Sequence, residues 1–120
     1  MQRRAHIILL ALGISLAACS TVYTEIDDQQ CPSGGTTLTY ANFGAEFMDS
    51  YCQYCHGSNA QSREGAPGEF IFDTREQIIR HKDRIFVRSA GENDSMPPGP
   101  DDPPLEERNK LAEWLACGAP

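Results

Sequence analysis

Residues 52–56 read Cys-Gln-Tyr-Cys-His, and this pentapeptide constrains the chain more than any other stretch. Two thiols lie three residues apart, and an imidazole follows the second at once. In a helical turn, that spacing brings both thiols and the ring to one end of an element. Three chemistries use such a pair: covalent attachment of a haem, a structural zinc site, and a redox dithiol. Zinc wants four ligands in a structural site. Cys31 and Cys117 could complete such a set, but they stand singly, without a second Cys-x-x-Cys. A redox dithiol goes with a βαβ pattern, and no alternation of strand and helix is visible. Haem attachment fits best: Cys52 and Cys55 each add to one vinyl group of the porphyrin edge, and His56 swings under the ring to reach the iron.

Haem iron held by one histidine needs a second ligand from further along the chain. Met96 is the candidate, in Met96-Pro97-Pro98-Gly99. A lone methionine is more often core packing, but this one sits in a polar loop beside two prolines that restrict the backbone. Methionine opposite histidine is the ligand pair of electron-transfer haem proteins. His81 is the rival ligand, although its place on a helix face reads more simply as a partly buried histidine. Met48 lies inside a helical pattern and reads as core.

Apolar spacing predicts helices and no paired strand. Phe43, Phe47 and Tyr51 recur every four residues, which predicts a helix over 40–51 running straight into Cys52. The stretch 57–68 is polar and rich in glycine and proline, hence loop. Phe70-Ile71-Phe72 reads as an extended piece packed on the core. Thr74 with Gln77 three residues on is a capping box, opening a helix with Ile78, Ile79, Ile85 and Phe86 on one face and a break near His81 and Lys82. Residues 91–104 form a second loop. Pro104 suits the first position of a last helix, striped by Leu105, Leu111, Trp114 and Leu115 and ended by Gly118 and Pro120. Loops this long are unusual in a small domain, unless a large prosthetic group supplies part of the core.

The N-terminus is read as a signal rather than as structure. Arg3 and Arg4 precede an apolar run over 7–16 and then Ala17 and Ala18, the layout of a secretory signal peptide. The run is half the roughly twenty residues that a membrane-spanning helix needs. The arginine pair lacks the flanking residues of a twin-arginine signal. Leu16-Ala17-Ala18-Cys19 resembles the bacterial lipoprotein lipobox, which implies cleavage before Cys19 and a diacylglycerol on its sulfur. The plainer alternative is an ordinary signal peptide that contains a cysteine. Ser20 after Cys19 favours the outer membrane in the lipoproteins it resembles. The expected layout is a signal over 1–18, a flexible lipidated tether over 19–37, and a domain over 38–120.

Removing residues 1–18 takes away two arginines and no acid, so the formal charge moves from −7 to −9. Such acidity argues against nucleic acid as a partner and suggests protein partners with a basic docking face. Five cysteines are present. With Cys19 assigned to lipid and Cys52 and Cys55 to the haem motif, Cys31 and Cys117 remain, and spare thiols in an oxidising compartment tend to pair. Two unpaired thiols, or pairing of either with Cys52 or Cys55, are the alternatives.

From about residue 38 to 119 the chain resembles a small class I-type cytochrome c domain of the kind found in myxobacterial and planctomycete lipoproteins. A helix ends in Cys52-Gln53-Tyr54-Cys55-His56-Gly57, a Met-Pro loop follows, and the tail reads Leu-Ala-Cys-Gly-Ala-Pro. The resemblance implies an all-α cytochrome c-like fold of three to four short helices and long loops around one covalent haem c. It implies close crossing of first and last helices, with Gly44 and Met48 against Leu111 and Trp114; Met48 stands where an aromatic is common. It also implies that the Pro67 carbonyl faces the free nitrogen of His56. The implied function is one-electron transfer, not enzymatic turnover, by a lipid-anchored carrier facing the periplasm, as a monomer or a subunit of a respiratory complex. The alternatives are a haem-based sensor, or a peroxidase-like or gas-binding subunit whose Met96 ligand is labile.

Overall fold

The computed structural model describes residues 25–120. The expected signal over 1–18 and the expected lipidation at Cys19 therefore fall outside the described residues. Every regular element among those residues is helical and none is a strand, so the predicted all-α class stands in that form. No helix of the described residues is long and apolar enough to cross a membrane.

The predicted helix over 40–51 is divided. Thr39 opens it with a capping box: its hydroxyl accepts from Asn42 N at 3.1 Å, and its own N–H donates to Asn42 Oδ1 at 2.7 Å. Residues Tyr40–Gly44 form a wide π-helical turn, and α1 follows at Ala45–Tyr51. Phe43, Phe47 and Met48 are buried on one side. A short helix α2, Gln53–His56, begins directly after Cys52.

The second helical stretch breaks where the pattern predicts. Helix α3, Arg75–Arg80, is opened by Thr74 and Gln77 bonding reciprocally, and α4, Lys82–Ser89, begins after His81. Helix α5 spans Leu105–Ala116. Pro104 stands just before it, in extended backbone, rather than at its first position. The cap still needs no N–H there, which is why proline is tolerated.

One core joins these elements. Phe43, Phe47, Met48, Ile78, Ile85, Phe86, Leu111, Trp114 and Leu115 are all buried. Helices α4 and α5 pack together. Gly44 lies so close to Trp114 that a Cβ there would overlap the indole ring. The Phe43 and Trp114 rings meet edge to face at 5.9 Å. The tail closes over this corner, since a Pro120 main-chain oxygen accepts from Tyr40 N at 2.6 Å and from Trp114 Nε1 at 3.3 Å.

The segment read as tether is fastened to the domain from Ile26 onward. A 3-10 turn at Ile26–Asp28 touches α4 and α5, and Ile26 packs on the core. The Thr36 hydroxyl donates to Glu113 Oε1 at 2.6 Å. Cys31 and Cys117 form a disulfide, with Cα atoms 4.9 Å apart across 86 residues of sequence. The bond ties the chain just after that 3-10 turn to the end of α5.

Candidate functional site

The pentapeptide forms a single turn of helix hung on the end of α1. Cys52 N donates to Met48 O at 2.9 Å, and His56 N donates to Cys52 O at 2.9 Å. Gly57 follows because nothing larger fits: a Cβ there would lie 2.9 Å from both the main-chain and side-chain oxygens of Gln53. The Gln53 amide in turn donates to Phe72 O at 2.7 Å. Phe72 N donates to His56 O at 3.0 Å, so Phe70-Ile71-Phe72 runs beside the motif without becoming a strand.

The imidazole of His56 is held on two sides. Its Nδ1 lies 2.9 Å from Phe70 O, and its ring stacks on Phe72 with centroids 4.6 Å apart and planes 21° from parallel. A main-chain carbonyl can only accept, so Nδ1 carries the proton and Nε2 presents its lone pair. Pro67 does not hold this histidine. Its carbonyl is taken by Phe70 N at 3.1 Å, closing a turn, and by Arg63 Nη2 at 2.9 Å. The carbonyl that reaches His56 belongs to Phe70, three residues later, because that turn swings Phe70 back toward the motif.

A cavity of about 240 Å³ opens beside the turn. Cys52, Cys55 and His56 form one wall, Pro67 and Phe70 another, and Ile85 of α4 a third. Met96 completes the lining from the loop over 91–104. That loop is pinned at its base. Arg108 on α5 donates to Gly91 O at 2.8 Å and to Pro103 O at 3.0 Å, and Met96 N donates to Arg88 O at 2.9 Å. The Met96 side chain remains 39% exposed. His81 is not part of the lining; it packs edge-on against Phe70 at 5.1 Å.

Both motif cysteines are free thiols. Burial, and after it the neighbouring Cys55, push the Cys52 thiol up to about 12. That direction is opposite to the lowering that activates the attacking cysteine of a redox dithiol. The four-cysteine zinc arrangement does not form, since Cys31 and Cys117 are spent on each other. Among the described residues, no group of three or more His, Cys, Asp or Glu side chains gathers as a metal site.

Arg63 is the residue that sequence reasoning missed. Its guanidinium donates to the carbonyls of Ala66 at 3.2 Å, Gly57 at 3.3 Å, Pro67 at 2.9 Å and Phe70 at 3.2 Å. One side chain thus knits together the loop between His56 and Phe70. The only signal in the sequence is an isolated arginine in a polar loop, which says nothing of which carbonyls converge on it. Asp73 supports the same loop by accepting from Ser58 N at 3.0 Å. Hydrogen bonds from Ser58, and more weakly the Arg63 charge, hold its carboxyl below the usual range.

Comparison with family models, curated proteins and solved structures finds no match to this chain.

Proposed function

We propose that this chain is a monohaem c-type cytochrome that carries single electrons, with Cys52 and Cys55 as the thiols that would attach the haem and His56 and Met96 as the residues that would hold its iron. The observation that carries this reading is the shared cavity: Cys52, Cys55 and His56 line it, and Met96 lines the same space from a loop forty residues on. The donor set fits the group. Both thiols are unpaired, His56 offers Nε2 while Nδ1 is occupied, and methionine sulfur is a soft ligand suited to haem iron.

Bound there, haem would supply reversible one-electron chemistry between ferric and ferrous iron. The chain's own residues do the rest. The Phe70 carbonyl fixes the tautomer and angle of His56. Phe72 limits rotation of the ring. Arg108 and the Met96 N–H bond hold the 91–104 loop over the cavity. Phe70 and Ile85 keep water from its apolar walls. The electron comes from, and goes to, redox proteins that present a basic face to this acidic chain. On the reading of Cys19 as a lipid anchor, the protein would work at a periplasm-facing membrane surface, in the outer membrane if Ser20 sorts it there.

The exposure of Met96 favours one second reading. A thioether 39% exposed on a loop is easier to displace than a buried one, and its loss would open a position for a small ligand, as in a sensor or a peroxidase-like subunit.

The test is an absorption spectrum of the mature protein made in cells with a haem-attachment system. Sharp reduced bands that survive denaturation and solvent extraction support covalent attachment. In Met96→Ala, loss of the weak red-end band of the oxidised form supports the sixth ligand. A spectrum unchanged by that substitution removes Met96 from the iron, and a colourless wild-type protein removes the proposal.

A further inference from the structure

The Phe70 carbonyl accepts two hydrogen bonds at once: from His56 Nδ1 at 2.9 Å and from Arg63 Nη2 at 3.2 Å. The second donor carries a full positive charge. A guanidinium draws the carbonyl's electron density toward itself, so less is left for the imidazole N–H. An imidazole whose Nδ1–H is strongly bonded leans toward imidazolate and donates more to a metal on Nε2; a weakly bonded one donates less. The same guanidinium grips Gly57 O, next to His56, and Pro67 O and Ala66 O. It cannot turn away without releasing three other carbonyls, and arginine does not lose its charge.

We infer that Arg63 is a positioning residue that raises the reduction potential of the site by competing with His56 for the Phe70 carbonyl. This inference rests on the haem reading above and adds to it a residue that lines the same cavity but spends its guanidinium on main-chain carbonyls. Two effects act in one direction. The weakened imidazole donor stabilises ferric iron less, and the fixed cation nearby opposes the extra positive charge of the ferric state. In the half-reaction one electron enters from a mediator, ferric iron becomes ferrous, and no proton needs to move, because His56 keeps its Nδ1 proton and Arg63 its charge.

Redox titration of the haem-loaded wild type, Arg63→Gln and Arg63→Lys provides the test, joined to the proton resonance of His56 Nδ1–H in the ferrous proteins. Arg63→Gln removes the charge and most of the fork. Its reduced-to-oxidised ratio at a fixed applied potential should fall about three- to tenfold, which at 59 mV per tenfold for one electron is about 30–60 mV. Its Nδ1–H resonance should move downfield, because the carbonyl is no longer shared. Arg63→Lys keeps the charge but reaches fewer carbonyls, and should fall between the two. A merely structural clamp predicts the opposite signs: a loosened loop lengthens the His56 bond, moves the resonance upfield and leaves the potential level or higher. That result, or an unmoved potential with an intact haem spectrum, overturns the inference alone. Should Arg63→Gln fail to mature, a potential in Arg63→Lys at or above wild type overturns it equally. A wild type that binds no haem overturns the proposed function, and this inference with it.

Discussion

The helical half of the molecule and the loop half are held together by different forces. Around Trp114, side chains bury one another: Ile78, Phe86, Leu111, Trp114 and Leu115 are each fully covered, and Gly44 removes its own side chain to let the indole in. Around the cavity, two long loops run without regular structure. Their positions are set by guanidinium groups on main-chain carbonyls, with Arg63 on four of them and Arg108 on two. Apolar burial is strong but non-directional. Hydrogen bonds from a planar fork are directional and fix angles. The half that carries Met96 and the Phe70 carbonyl that meets His56 uses the second; the half that keeps the chain folded uses the first.

Four substitutions break or sharpen this contrast. The largest effect belongs to the helical half. Trp114→Ala should lower stability by about 3–5 kcal/mol, seen as an earlier denaturant midpoint, because the π-helical turn and the tail both lean on the indole. Cys31→Ser comes next, at about 2–4 kcal/mol, and should expose one new reactive thiol, Cys117, in the unfolded, unreduced protein. If no thiol appears, the two ends are not joined in solution. Thr74→Ala removes the hydroxyl that caps α3 and should cost about 1 kcal/mol; a larger loss would mean that the cap also supports the motif through Asp73.

The smallest effect lies in the loop half. The Asp73 carboxyl titrates lower in the folded chain than in the unfolded one. Its contribution is therefore present above the unfolded value and is lost as pH falls through the folded one. Asp73→Asn should flatten the acid limb of the stability profile below about pH 4 and leave the helical core unmoved. An unchanged acid limb would show that the exposed carboxylate contributes nothing.

Local features were legible in the sequence where a short-range rule governs them. Thr74 and Gln77 announced a reciprocal cap, His81 and Lys82 a break, and Phe43 and Phe47 a buried face. The count of cysteines pointed to Cys31 with Cys117. The split of the first helix into Tyr40–Gly44 and α1 was not legible, because wide and ordinary turns place the same apolar residues on nearly the same face. The carbonyl assigned to His56 was misplaced by three residues for a related reason. Residue type says little about where a main-chain oxygen points, so proline at position 67 carried no information about the turn that hands the contact to Phe70.

The sequence by itself determined the chemistry available: two thiols and an imidazole in fixed register, a methionine held by prolines, an acidic domain, and apolar spacing that makes helices. Those properties depend on residue identity and on neighbours within a turn or two. Only the tertiary structure decided that Met96 and His56 line one cavity, that His81 does not, and that Arg63 and His56 meet on one carbonyl. Each depends on the course of the loops after His56 and after α4, which main-chain hydrogen bonds help to set, and every residue but proline offers the same main-chain donor and acceptor.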